Sequence, residues 1–236
     1  MNKKIPGNAN LYRIDGDAFY SLKRYQEAIE RYSEAIKIFP NDYRVYDKKA
    51  DDFNNLKRYL EAIECYEEII KLEPNKTDFY YKKGYALNKL GRYQEALEIY
   101  DEAIKINIYD SRCYNEKGNT LYTLQRYEEA IECYDQSIKN DPYKSKFYND
   151  KGNILYTLER YQEAIQCYDE AIKNEPNNPL HFCSRARVFN NLRQEEAALQ
   201  DFNMAYNLRE ENQLNGVWLE MNETFLKKIS ISLMMD

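Results

Sequence analysis

Covalent catalysis needs a nucleophile beside a base, a metal cage or a phosphate cradle. The 236-residue chain offers little for any of these: one histidine, His181, and five cysteines. It has no Cys-x-x-Cys and no His-Glu-x-x-His, so no metal site is expected. Its seven glycines are dispersed, and Gly16, Gly84, Gly118 and Gly152 share one position of an internal repeat instead of forming a phosphate loop. Asp and Glu pairs stand at helix-surface spacing among lysines, which reads as a solvated face. We therefore expect no catalytic residue, no metal, no cofactor and no enzyme activity. The remaining chemistry is recognition. An Asn side chain donates and accepts together, so it can grip a peptide backbone. Tyr gives a flat contact at low entropy cost.

Charge and length narrow the partners. Net charge is -6, from 34 Lys and Arg against 40 Asp and Glu. The two signs are mixed, whereas a duplex nucleic acid demands a concentrated basic surface. Met1 to Gly7 lacks the apolar run of a secretory signal, and no segment has the apolar length to span a bilayer. Cys65, Cys133 and Cys167 occupy one repeat position, too far apart in neighbouring repeats for a disulfide, which needs Cα atoms within about 7 Å. Reduced, buried thiols in a reducing compartment, the cytoplasm, are expected. The 24 tyrosines fall mostly on repeat positions, so packing accounts for them.

The positioning elements follow from the repeat. Arg-Tyr-x-x-Ala recurs at Tyr25, Tyr59, Tyr93, Tyr127 and Tyr161, each 34 residues after the last. Such a period marks a solenoid of helix pairs, since one unit cannot bury its apolar face alone. Six units result: 9–42, 43–76, 77–110, 111–144, 145–178 and 179–212. The first helix carries Tyr12, Tyr46, Tyr80, Tyr114, Tyr148 or Phe182. Four residues on comes Gly16, Ala50, Gly84, Gly118, Gly152 or Ala186, small enough for close helix approach. It closes with Leu22, Leu56, Leu90, Leu124, Leu158 or Leu192. The second helix answers with an invariant Ala, from Ala28 to Ala198, then Tyr32, Tyr66, Tyr100, Tyr134, Tyr168 or Phe202. Pro40, Pro74, Pro142 and Pro176 stop that helix. Repeats three and six have Ile108 and Glu210 there, so these helices should run on or turn differently.

This pattern resembles the tetratricopeptide repeat over residues 9–212. One column departs from the family's usual leucine: Asp15, Lys49, Lys83, Lys117, Lys151 and Arg185, whose stems can lie along the helix pair with the charge in water. The resemblance implies an all-α, right-handed superhelical solenoid of antiparallel helix pairs. Residues 1–8 form an N-terminal tail, and 213–236 a C-terminal capping helix and tail, with Leu214, Trp218, Met221, Phe225, Ile229 and Leu233 on one face.

Function by resemblance is protein–protein interaction, as scaffold, adaptor or chaperone-like module, with an extended protein segment in a concave groove lined by first helices. The groove residues so implied are Tyr81, Lys82, Tyr85 and Asn88 in repeat three, Arg112, Asn115, Asn119 and Tyr122 in repeat four, and Lys146, Asn149, Asn153 and Tyr156 in repeat five. Repeat two adds Asp47, Lys48, Asp51 and Asn54. Recent duplication without divergence would equally make the strips alike. Some relatives clamp a chaperone's carboxyl terminus through basic and Asn residues at set positions. Here Arg13 is followed by Asp17 and no later repeat has a basic fifth residue, so that partner is not expected. A second reading makes Trp218, Met221, Phe225 and Ile229 a self-association surface and the chain a structural protein.

Overall fold

Each first helix ends in the same turn, and that turn sets the geometry of the pair. The residue after the closing leucine is left-handed: Lys23, Lys57, Gln125, Glu159 and Arg193 have φ of 56–59°, and Gly91 has 74°. The next amide reaches back five residues, as Arg58 N to Phe53 O at 2.8 Å and Arg160 N to Leu155 O at 2.8 Å. Lys57 N meanwhile donates to Asn54 O at 2.9 Å. These two bonds make a Schellman motif, which satisfies carbonyls left open at the helix end. Only repeat three supplies the glycine such a turn favours. The leucine before it is therefore a cap residue at the edge of the pair. Leu22 is 65% exposed, so this column contributes less to the core than its invariance suggests.

The computed structural model describes residues 7–211, with side chains to Leu208. Among these are twelve α-helices and no strand: α1 Gly7–Ser21, α2 Tyr25–Ile38, α3 Tyr43–Asn55, α4 Tyr59–Leu72, α5 Thr77–Lys89, α6 Tyr93–Ile106, α7 Ser111–Thr123, α8 Tyr127–Asn140, α9 Ser145–Thr157, α10 Tyr161–Asn174, α11 Pro179–Asn191 and α12 Glu195–Glu211. They fall into two units divided after Arg126, the first holding α1–α7 and the second α8–α12. In the first unit α1 packs on α2, α3 on α4 and α5 on α6, and each second helix packs on the next first helix. The second unit repeats this with α9 on α10 and α11 on α12.

Between the paired helices lies the aromatic column. Tyr32, Tyr66, Tyr100, Tyr134, Tyr168 and Phe202 are all at most 2% exposed, and the Ala column beside them is wholly buried. The rings of Tyr32, Tyr100 and Tyr168 lie against Gly16, Gly84 and Gly152 of the first helix of their pair; a Cβ built on Gly84 would stand 2.5 Å from Tyr100 Cε1.

The second helices end where expected, with one instructive pair. Without a proline, α6 still stops at Ile106, because Asn107 Oδ1 accepts from Tyr109 N at 3.0 Å and supplies the turn. Repeat six has no such device, and α12 runs to 17 residues. Helices α3, α7 and α11 are capped by Asp42, Asp110 and Asn178, each accepting from the amide two residues on, whereas Lys76 and Lys144 before α5 and α9 give no side-chain cap.

The unusual cationic column has a structural task. Lys83 pairs with Glu67 at 3.0 Å, Lys117 with Asp101 at 2.6 Å, Lys151 with Asp135 at 2.5 Å and Arg185 with Asp169 at 2.5 Å. Every partner is 16 residues earlier, on the second helix of the preceding repeat, so the pairs rivet one repeat to the next. Their carboxylates are about half exposed, so each pair contributes less than about 1 kcal/mol. Repeat two lacks the acid, having Ser33, and Lys49 lies over the Phe53 ring instead.

Candidate functional site

In residues 7–126, α3 and α5 present their polar sides together around a cleft of about 180 Å3. It is lined by Asp51 and Asn54 from α3, Tyr81, Lys82 and Tyr85 from α5, and Tyr66 from α4. Helix spacing explains the set: residues 81, 82 and 85 fall within one turn of one face. Tyr85 is 40% exposed, with the Lys89 ammonium 4.9 Å from its ring centre. The Arg112 guanidinium stands 5.0 Å from the Tyr81 ring and bonds Asp78 at 2.7 Å and Asp110 at 3.0 Å.

Lys82 ties the two helices together, with Nζ 2.5 Å from Asp47 and 3.4 Å from Asp51. Burial pulls its pKa down, but the two carboxylates outweigh that and hold it above the usual lysine value. Burial drives the Asp51 pKa up against the opposing pull of Lys82. Asp51 is thus the less fully compensated charge of this cleft.

The asparagines are less independent of the scaffold than their spacing suggests. Asn54 Nδ2 donates to the Tyr66 hydroxyl at 2.7 Å, and Asn88 Nδ2 to the Tyr100 hydroxyl at 3.3 Å. Asn88 Nδ2 also donates to Thr120 Oγ1 at 2.8 Å. Tyr32 donates to Asp17 Oδ1 at 2.8 Å, and in the second unit Tyr168 donates to Asn153 Oδ1 at 2.9 Å. A buried tyrosine hydroxyl needs a partner, and the inner face of the first helix supplies it. Asn115 is itself buried, Asn119 half-buried and Tyr122 exposed; all three have polar or ring interactions of their own.

In residues 127–211 the corresponding residues stand on α9. Lys146 pairs with Asp150 at 3.1 Å. Asn149 Oδ1 lies 3.2 Å from Nδ1 of His181, which is 3% exposed and whose Nε2 is 3.4 Å from Glu175. Burial pulls the His181 pKa down, with Glu175 opposing. Asn191 donates to the Tyr156 hydroxyl at 3.0 Å, and Arg187 lies 4.9 Å from that ring. His181 is thus a buried link between neighbouring first helices, in a column where other repeats carry Val45, Phe79, Cys113 or Phe147.

Among the described residues no three His, Cys, Asp or Glu side chains stand together to hold a metal, and no helix is long and apolar enough to cross a membrane. The five cysteines are free thiols, four of them buried. Burial pushes Cys65 and Cys167 up to about 11 and Cys113 up to about 12, so they are poor nucleophiles. Trp218, Met221, Phe225 and Ile229, with the expected capping helix, lie outside the described residues.

The model of the tetratricopeptide repeat matches residues 48–111, 115–179 and 150–212, and a second TPR repeat model matches 16–49. The chain belongs to the tetratricopeptide repeat family. A search of curated proteins returns no match. Among solved structures it is similar to MamA 41-end from Desulfovibrio magneticus RS-1, at 22% identity and TM-score 0.66, over 73% of this chain and 98% of that one. It is also similar to Pseudomonas aeruginosa pilF, at 18% identity and TM-score 0.71, over 95% of this chain and 100% of that one. YrrB, described as a TPR protein with an unusual peptide-binding site, matches at 20% identity and TM-score 0.57, over 72% of this chain and 88% of that one. At these identities the likeness is one of fold. As a tetratricopeptide repeat protein the chain is a protein-interaction module of a scaffold type that is generally not enzymatic.

Sequence spacing puts Tyr81, Lys82 and Tyr85 on one face and Asp51 and Asn54 on the corresponding face of repeat two, and the structure brings the two sets around one cleft. Tyr66 carried no such signal, because its position in the repeat marks it as core; only its hydroxyl edge reaches the cleft.

Proposed function

We propose that this tetratricopeptide repeat protein is a scaffold or adaptor that holds an extended segment of a partner protein along its first-helix face. The anchor in residues 7–126 is the cleft between α3 and α5. The observation that supports this reading is the cleft itself. Tyr85 is exposed beside an incompletely compensated carboxylate at Asp51, next to backbone that the scaffold holds rigid. An aromatic rim around polar groups suits a side chain of the bound segment, and tyrosine is enriched at such contacts. On α9, Asn149, Asn153 and Tyr156 provide a similar polar surface, with parts of each side chain already engaged by the scaffold. The protein works in a reducing compartment, the cytoplasm, where its free thiols persist.

Peptides selected from a displayed library on the full chain test this. Tyr85→Ala is expected to weaken the selected peptides at least about tenfold, and Asp51→Ala to do so for those carrying a basic residue. The unfolding midpoint should stay within a few degrees of wild type. Equal affinity for both variants would remove the cleft from the binding surface.

A further inference from the structure

Asp52 is out of place. It is 0% exposed, and neither carboxylate oxygen has a hydrogen-bond partner. The same position in the other repeats holds Ala18, Ala86, Thr120, Ile154 and Val188. Four of these are apolar, and Thr120 donates its hydroxyl to Glu116 O at 2.7 Å and accepts from Asn88 Nδ2 at 2.8 Å. A carboxylate in this column therefore stands where repeat packing shields it from solvent and offers no protein donor.

Its surroundings offer no spare cation. From α1, Asp17 acts on it as a like charge, and from α2 Tyr32 is near enough to feel its charge, with the hydroxyl committed to Asp17. On its own helix, Asp51 repels it and Lys48 attracts it. But Lys48 Nζ is engaged by Asp17 at 2.9 Å, and Lys82, near Asp51, is held by Asp47. The groups from other helices belong to α1 and α2, so Asp52 faces the first repeat. In a solenoid an end repeat is stabilised through its single neighbouring interface. On α1, Leu11 and Ile14 are 62% and 48% exposed.

We propose that the seam between the first and second repeats is a pH-sensitive joint, closed while the Asp52 carboxyl is neutral and loosened when it ionises. Burial, the largest cause, and then Asp51 push its pKa up to about 7, so the ionisation falls in the physiological range. The direction follows from linkage. A carboxyl bound more tightly to its proton in the closed seam contributes full stability at low pH, which drains away as pH rises through about 7. An opened seam returns Asp52 to the ordinary value near 3.9.

Amide hydrogen exchange on the full chain, corrected for intrinsic rates, tests the joint helix by helix. Protection in α1 and α2 is expected to fall about 30-fold between about pH 5.5 and 8.5, with a smaller change in α9–α12. Asp52→Asn, which keeps the shape, and Asp52→Ala, which matches Ala18 and Ala86, should both abolish that fall. A flat wild-type profile, a fall of equal size in either variant, or a fall spread evenly over all helices would overturn the proposal.

Discussion

Gly84→Val is expected to destabilise residues 7–126 by about 3 kcal/mol, at the upper end of overpacking effects. The added Cβ would lie 2.5 Å from Cε1 and 2.6 Å from Cζ of Tyr100. That ring cannot step aside easily, because it is wholly buried and its hydroxyl bonds Asn88. A β-branched side chain also restricts χ1 against the preceding turn. Gly84→Ala should cost less, about 1 kcal/mol, since the clash is offset by the better helix propensity of Ala. Ala50 and Ala186 show that a methyl fits this column when the facing ring is set for it. Urea unfolding would read the losses. A double-mutant cycle with Tyr100→Leu should give strongly sub-additive losses, because the two side chains share one space.

Arg185→Ala is expected to cost about 3 kcal/mol in residues 127–211, far more than the other members of the cationic column. The lysines of that column meet carboxylates that are about half exposed, and water replaces a lost partner. Arg185 differs: Nε and Nη2 grip Asp201 at 2.8 and 2.6 Å, and Nη1 reaches Asp169 at 2.5 Å. Asp201 is 4% exposed, so removing the guanidinium strands a buried charge. The Arg185 guanidinium carbon also lies 5.9 and 5.7 Å from the centres of the Phe182 and Phe189 rings. The paired substitution Arg185→Leu with Asp201→Leu should recover most of the loss, since two apolar side chains leave no uncompensated charge. Lys117→Ala, measured the same way, should cost less than about 1 kcal/mol.

The helix pairs were legible in the sequence because their packing uses side chains of fixed size at a fixed period. Gly84 against Tyr100, with Ala96 one turn before Tyr100 on the same helix, can be read from spacing alone. Three features were not legible, each for a physical reason. The pairing of Lys83 with Glu67 and of Lys117 with Asp101 spans 16 residues, a separation that means nothing until two helices are folded back on each other. The tie between Asn153 and the Tyr168 hydroxyl was hidden for the same reason, and it changes how the inner face is read. An Asn there is partly scaffold, because a buried tyrosine carries a hydroxyl that must be satisfied. The burial of Asp52 has no sequence signal, since in a charged helix nothing local separates an outward position from one facing the neighbouring repeat.

The candidate site was legible only in part. Tyr81, Lys82 and Tyr85 follow from helix periodicity. Bringing Asp51 opposite them depends on how α3 and α5 sit side by side, which only the folded chain shows. Asn88, by contrast, is committed to Tyr100 and Thr120 and stands outside the cleft.

The central claim is that partners lie on the first-helix face, and site-specific photocrosslinking tests it most directly. A benzophenone amino acid placed at Tyr85, on α5, and separately at the exposed Glu98, on α6, would be irradiated in extract from the source cell. Adducts to a partner protein from position 85 and none from position 98 are the predicted result. Adducts from position 98 alone, or equally from both, would contradict it.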